Sequence, residues 1–403
     1  MSDLFLSREH RELRDEVRQF AEDAVAPRVA DMEASRKIER DLAEQIAGRG
    51  WIGVTIPTKY GGMGAGHLAK TLILEELSRI SAAVGAMTQA SQLGVAKILR
   101  YGSEEQKQFW LRKVASGACL PTIAVTEDVS GSYVLGMETT AVREGDTYIL
   151  NGAKVYVGNS HIGDIHGVVA RTGDGSRGLT AFLVEADRPG LTVSPHQGTL
   201  GLHGFSFGEL IFDNCRIPAA NRLGVEGDGK DVAYSSSILY GRPNLTAVAL
   251  GVHRAILETA TAFSKERIRY GKPLHELETV KNKLGLIKSR VMTGQITAYH
   301  AVSLEDRGML CDAELMNAKF FNVEAVLDSV RTAMEIYAAA GLYTDRPIER
   351  YLRDAYHLRA PGGTSDIQLL RLGQNALGLA KGQYSERPGD QQHAAESTAA
   401  LPA

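Results

Sequence analysis

Apolar positions fall into three successive patterns along the chain. In the first, Leu13, Val17, Phe20, Ala21, Ala24 and Val25 recur three and four residues apart, which is one face of a 3.6-residue helix. Ser7 is placed to cap that helix, with Glu9 in its first turn. Pro27 is expected to kink or end it. Further helices are expected at 40–49, 68–80, 86–101 and 103–114. The last has an acidic start and a basic end, which complement a helix dipole. Residues 51–66, WIGVTIPTKYGGMGAG, read as a glycine-rich connector. Its glycines lack the preceding strand and following helix that a dinucleotide fingerprint needs.

From Pro121 to about Arg222 the pattern changes to short β-prone runs broken by Gly, Asn and Asp. Examples are 148–152, 154–159, 179–184 and 209–212, with Asn151-Gly152 reading as a hairpin turn. Such spacing suggests a barrel or sandwich rather than βαβ units. From about Asp228 long helices return. Val248, Val252, Ala255, Ile256, Thr259 and Phe263 form one stripe, and Val280, Leu284, Ile287 and Val291 another. A third helix is expected over 312–340, ended by Gly341. The chain therefore divides into a helical part at 1–118, a β part at 119–226, a long-helix bundle at 227–385 and a polar tail at 386–403, expected to be disordered. No repeat of fixed period is visible.

One stretch stands out, YLRDAYHLRAPGGTSDIQ at 351–368. Pro361-Gly362-Gly363 forces a turn. Ser365 to Gln368 reads as an S-x-x-Q capping box that opens a helix carrying Leu369, Leu370, Leu372 and Leu377. This is an ordinary helix start. It also delivers backbone N–H groups to any anion or electron-rich ring edge placed there.

Composition narrows the classes. The 403 residues suffice for two or three domains, and a net charge of −3 gives no electrostatic case for nucleic acid. No run is long and apolar enough for a bilayer span, and the charged N-terminus carries no leader-like segment. Cys119, Cys215 and Cys311 lie far apart and read as reduced thiols, so a cytoplasmic location is expected. The 11 histidines include no H-E-x-x-H, and no metal is expected.

Four motifs, with the helix–β–helix order, give a resemblance to the acyl-CoA dehydrogenase family over roughly residues 4–380. The resemblance implies an α+β multidomain fold, with an N-terminal helical domain, a central β-barrel and a C-terminal four-helix bundle. It implies FAD between barrel and bundle and a homodimer or homotetramer. It further implies a substrate thioester carried by CoA or an acyl carrier protein, with no membrane or metal partner. The first motif, IAVTEDVSGS at 123–132, is similar to the family's T-E-P-x-A-G-S-D, with Asp128 for its Pro and Tyr133 for its final Asp. Thr126 would contact the flavin ring, and Ser132 the FAD or thioester. The second, NGAKVYVGN at 151–159, is similar to N-G-x-K-x-W-I-T-N. Tyr156, Val157 and Gly158 would then lie against the isoalloxazine. Gly158 replaces a Thr beside the reactive flavin nitrogen, which removes a donor and is expected to open space. The third, RIRYGKPL at 267–274, is similar to R-x-x-F-G-x-P-L. It implies Arg267 on the FAD pyrophosphate with Arg269 beside it, and Glu278 stands for a later Gln. The fourth, EIYAAAG at 335–341, stands for Q-I-x-G-G-x-G. The resemblance sends Glu335, Ala338 and Ala339 toward the FAD of a partner subunit.

The family's catalytic motif, Y-E-G-T-[SN]-[EDQ]-I-Q, here reads PGGTSDIQ, so the base position is Gly362. Gly363, Thr364 and Ser365 would contact the flavin. Some branches place the Glu just before a bundle Arg; the matching LYGR at 239–242 puts Gly241 there, with Arg242 and Gly362 beside the thioester and Leu239 for the usual Asp. Several readings stay open. Tyr240, Tyr133, His357 or Asp366 supplies the base, although Asp366 is equally a first-turn carboxylate and His357 equally a surface or interface residue. Alternatively, a substrate acid loses CO₂ and needs no base, with Arg359 as carboxylate partner. The flavin can instead work with O₂ as a monooxygenase, or the chain is a non-catalytic flavoprotein partner. The reading carried forward is an FAD-dependent oxidoreductase with non-standard base chemistry, plausible in natural-product biosynthesis.

Overall fold

The computed structural model describes residues 4–379 and 382–386. The expected tail at 386–403 lies almost wholly outside these. The N-terminal part comprises α1 (Arg8–Phe20), α2 (Val29–Ser35), α3 (Arg40–Gly48), α4 (Gly66–Ile80), α5 (Ala82–Tyr101), α6 (Glu104–Gln106) and α7 (Arg112–Ala115). Ser7 caps α1, its hydroxyl accepting from the His10 amide. Pro27 does not end the helical path. A π-helical turn at Ala21–Val25 and a 3₁₀ turn at Ala26–Arg28 carry the chain on into α2. Pro27 sits in the first positions of that 3₁₀ turn, where no amide hydrogen is needed. Ser81, rather than a residue near 86, starts α5 by capping the Val84 amide.

The central sheet comprises β1 (Pro121–Ala124), β2 (Thr140–Glu144), β3 (Thr147–Gly158), β4 (Ile165–Arg171), β5 (Leu179–Glu185), β6 (Leu191–Val193), β7 (Phe207–Pro218) and β8 (Arg222–Leu223). Its order is β6-β7-β3-β2-β4-β5-β8, with β1 parallel to β4 off that path. The two ends, β6 and β8, do not pair, so no closed barrel forms. Both are very short, one way a sheet limits its exposed edges. Asn151-Gly152 is not a hairpin turn. Strand β3 runs through it, and the register with β7 slips between Leu150 and Gly152. The β2–β3 hairpin turns instead at Gly145-Asp146, with Glu144 opposite Thr147 and Gly145 at φ +61°.

The bundle comprises α8 (Gly229–Ser236), α9 (Arg242–Glu266), α10 (Glu278–Asp306), α11 (Asp312–Tyr337), α12 (Pro347–His357) and α13 (Ser365–Ala376). A small hairpin pairs β9 (Ile268–Arg269) with β10 (Lys272–Pro273). Helix α11 stops at Tyr337, short of Gly341, because Ala338 leaves the helix at φ 49° and ψ −135°. The expected stripes are buried through Val248, Val252, Ala255 and Ile256 on α9 and Val280, Ile287 and Val291 on α10.

Two close approaches join the parts. A Cβ at Gly251 of α9 would lie 2.3 Å from the Glu75 carbonyl oxygen of α4. A Cβ at Gly94 of α5 would lie 2.4 Å from the Pro121 carbonyl of β1. Beside the first contact, Arg254 donates to Glu75 and Glu76 at 2.6 and 2.7 Å, Tyr299 donates to Glu75 at 2.7 Å, and Arg18 donates to Glu76. Helices α1, α4, α9 and α10 thus meet on two buried carboxylates, whose charge the arginines neutralise.

Candidate active site

The turn between α12 and α13 faces the start of α9. Gly362 has φ +67°. A Cβ built on it would lie 2.9 Å from Leu245 Cδ1 and 3.6 Å from the Gly241 carbonyl carbon. Gly241 ends the π-helical turn Ser237–Gly241 that leads into α9. A Cβ on Gly241 would meet Leu93, Ser236 and Ser237 no closer than 3.8 Å. The two positions where the family resemblance looks for a carboxylate therefore adjoin each other, and neither bears a side chain.

The turn is held from three sides. Lys319 of α11 is fully buried and donates to the Arg359 and Gly363 carbonyl oxygens. Gln368 donates to the Gly362 and Gly363 carbonyls at 3.1 and 2.9 Å, and its own oxygen accepts from Arg242 Nε at 2.8 Å. Arg242 also donates to Ser237 Oγ at 3.3 Å. Burial, then the positive charge of Arg242, pushes the Lys319 ammonium down to about 7. Burial lowers Arg242 itself to about 10. Helix α13 is capped by Thr364, whose hydroxyl accepts from the Ile367 amide at 3.4 Å. The S-x-x-Q box therefore does not form. Ser365 is the first helical residue and donates to Glu324, and Gln368 turns back into the site.

The alternative base and carboxylate candidates have other surroundings. Arg359 donates to Glu324 at 2.9 Å, so its guanidinium already has a carboxylate partner. Tyr240 is buried, and its hydroxyl donates to Thr55 while Lys70 lies 4.2 Å from its ring centroid. Tyr133 is exposed on the loop after Ser132, packed over Gly136. His357 is half-buried. Its Nε2 accepts from the Gly201 amide at 3.2 Å, and burial lowers its pKa. Asp366 lies exposed in the first turn of α13.

The first two motifs meet across the sheet. Lys154 donates to Glu127 at 2.6 Å and to the Val125 carbonyl, and the Val155 amide donates to Thr126 O. Burial opposes the Glu127 charge, yet Lys154 and the amides of Glu138 and Thr139 hold its pKa below the usual carboxylate range. At the end of β3, Tyr156 adopts φ 57° and is 63 % exposed. Its ring stacks on Phe207 at 5.8 Å, and Phe207 meets His357 edge-on at 6.5 Å. This aromatic ladder runs from the sheet to the residue five places before Gly362. Gly158 does not leave open space. A Cβ there would lie 3.0 Å from both Ala90 Cβ and Phe205 Cζ.

Arg267, Arg269, Glu278, Glu335, Ala338 and Ala339 form a second group. Arg267 leads into the exposed β9–β10 hairpin and Arg269 lies in its first strand, Glu278 starts α10, and Glu335 pairs with Lys283. Helical rise places Ala338 about 28 Å along α11 from Lys319. That length of helix separates Ala338 from the Lys319 end of α11, which holds the Gly362 turn. Sequence reasoning missed Lys319, Glu324, Phe205, Phe207 and the bridging part played by Gln368. A lysine among the apolar residues Leu315, Met316, Ala318 and Val323 was the available signal.

Residues 7–118, 122–215 and 227–377 match the acyl-CoA dehydrogenase N-terminal, middle and C-terminal domains, respectively. The chain belongs to the acyl-CoA dehydrogenase family. It is 37 % identical over 369 residues to an acyl-CoA dehydrogenase of Bacillus subtilis, covering 91 % of this chain and 97 % of that one. Butyryl-CoA dehydrogenase from Megasphaera elsdenii superposes with a TM-score of 0.90 at 29 % identity, over 92 % of this chain and 99 % of that one. PigA with FAD and proline superposes with a TM-score of 0.88 at 27 % identity, over 93 % and 98 %. The protein is thus an FAD-dependent oxidoreductase of this family. Among the described residues no helix is long and apolar enough to cross a membrane.

The residues present fit a flavin. Tyr156 offers an open aromatic face at the sheet end of the ladder. At the other end, Gly363 has φ +88°, and a Cβ there would lie 2.9 Å from Gln368 Nε2 and 3.3 Å from Arg242 Nη2. A side chain at 363 would press on the two groups that hold this turn.

Proposed function

We propose that the protein oxidises an acyl thioester or related acid without a protein carboxylate to remove the α-proton, and that its substrate supplies the electron pair at Cα by losing CO₂. The observation that carries this reading is the meeting of Gly241 and Gly362. Both family positions for a base converge on one point, and the nearby Glu324 is engaged by Arg359 and Ser365. In a 2-carboxy acyl thioester the C–CO₂ bond breaks, its electron pair stays on Cα, and CO₂ leaves without a proton transfer. Bound FAD supplies the acceptor for the hydride from Cβ. Thr126, Ser132, Tyr156, Val157 and Gly158 on the sheet side, and Gly363, Thr364 and Ser365 on the bundle side, would hold the flavin. Arg267, Arg269, Glu278, Glu335, Ala338 and Ala339 would face the cofactor's distal end in an oligomer. Arg242, fixed by Gln368 and Ser237, would orient the thioester beside Gly362. A substrate arm from CoA or a carrier protein suits this reading equally. The space beside Gly158 is filled by Phe205, which argues against an enlarged oxygen pocket.

The test is anaerobic mixing of the yellow holoenzyme with saturated acyl-CoAs and, separately, with 2-carboxy acyl thioesters, followed by product mass. Flavin bleaching with the carboxylated substrates only, with a product lacking CO₂ and two hydrogens, is expected. Rapid bleaching by butyryl- to palmitoyl-CoA would overturn the proposal. A gain of one oxygen after admitting air would favour the monooxygenase instead.

A further inference from the structure

Residues 382–386 lie beside the turn that carries Gly241. A 3₁₀ turn at Tyr384–Glu386 packs against the π-helical turn Ser237–Gly241. The Tyr384 ring packs against the cluster containing Ile238, Leu239 and Tyr240 and lies 6.3 Å from the Tyr234 ring. Leu239 is the position where the family resemblance expects an aspartate, and its apolar side chain is buried in this same cluster. The polar contacts are more specific. Asp312, at the start of α11, is buried. Its carboxylate accepts from the Tyr384 amide at 2.9 Å, the Ser385 amide at 3.1 Å and the Ser385 hydroxyl at 2.7 Å. Arg100 donates to the Tyr384 carbonyl at 3.1 Å, and the Tyr384 hydroxyl donates to Asp231 at 3.2 Å.

A buried carboxylate must keep hydrogen-bond donors, and among the described residues the donors to the Asp312 carboxylate all come from this one segment. Two successive amides on a buried carboxylate, beside the turn carrying Gly241, are also what a pantetheine arm offers, since it is a chain with two amides ending in the thioester sulfur. We propose that residues 382–386 form a strap over the mouth of the site, occupying the path of the substrate's pantetheine arm, so that strap and arm compete for Asp312. The inference rests on the thioester reading above. It makes Asp312, Asp231, Tyr234 and Arg100 the track for the arm, and it makes substrate entry a displacement. A strap closed nine-tenths of the time weakens apparent affinity about tenfold.

The test uses full-length holoenzyme, wild type and Tyr384→Ala, titrated with S-alkyl thioethers of pantetheine and of CoA, with the flavin spectrum as readout. Hydrogen exchange of the Ser385 amide is followed in parallel in the wild type. The expected result is about five- to tenfold tighter binding in Tyr384→Ala, with Ser385 protected in free wild type and unprotected at saturating thioether. Pantetheine against CoA then shows whether the nucleotide contributes. Equal affinity in the two proteins overturns the strap and leaves the thioester reading intact. A thioether that perturbs neither spectrum overturns both, because the strap then has no arm to yield to.

Discussion

Restoring a base at Gly241 is the sharpest test of the site. Gly241 has helical backbone, φ −60° and ψ −46°, and an added Cβ would meet nothing closer than 3.8 Å. Glycine inside a helix costs about 0.5–1 kcal/mol relative to alanine, so the backbone change at 241 is mildly favourable. The cost of Gly241→Glu is burial of a carboxylate. The adjacent Arg242 offsets it, because its guanidinium is hydrogen-bonded to Gln368 and Ser237 and forms no ion pair among the described residues. Gly362→Glu is the contrasting case. At φ +67° an L-residue costs about 1–2 kcal/mol, and its Cβ would press on Leu245 Cδ1 at 2.9 Å. A positioned general base contributes about 10²- to 10⁴-fold, or roughly 3–5 kcal/mol of barrier. Stopped-flow bleaching of the flavin by butyryl-CoA without oxygen should therefore rise by about that factor in Gly241→Glu. It should not rise in Gly241→Gln, which has the same shape and no base. A folded, flavin-loaded Gly241→Glu that binds the thioester yet bleaches no faster than wild type would refute the reasoning.

Three further outcomes follow from the packing. The folded chain releases the Lys319 proton near pH 7, while the unfolded chain holds it to the usual value of 10.5. Between those values the unfolded state binds more protons, so this group makes stability rise with pH by about 1.4 kcal/mol per unit. Urea unfolding at pH 7 and pH 9 should show this limb lost in Lys319→Met, and an unchanged difference would sink the assignment. Lys154→Met leaves Glu127 buried without its cation and should cost about 3–5 kcal/mol in the same assay; a loss under about 1 kcal/mol means the pair is dispensable. Ala338→Gly relieves a backbone conformation that L-residues rarely adopt and should stabilise the fold by about 1 kcal/mol, with a lowered Tm as the contrary result.

Much of the fold was legible because helical stripes and β-prone runs are local. The stripe on α9 and the Ser7 cap of α1 needed no knowledge of neighbours. Where expectation failed, a neighbour overrode a local preference. Asn151-Gly152 has turn chemistry, but its pairing with β7 keeps it inside a strand, while Gly145 takes the turn. Ser365 has capping chemistry, but Glu324 takes its hydroxyl and Thr364 caps instead. Gly158 lacks a side chain, but Phe205 and Ala90 fill the gap.

The sequence alone determined the order of helices and strands, the four motifs that mark the family, and the missing carboxylates at positions 241 and 362. Residue identity and short-range periodicity carry that information. Tertiary structure alone decided that the two glycines meet, that Lys319 and Gln368 fix the turn between them, that Arg359 is already paired, and that the Tyr384–Glu386 turn packs on the turn carrying Gly241. Those facts depend on which surfaces the packed helices turn toward one another. That is set by close approach and burial across the whole core rather than by any stretch of chain.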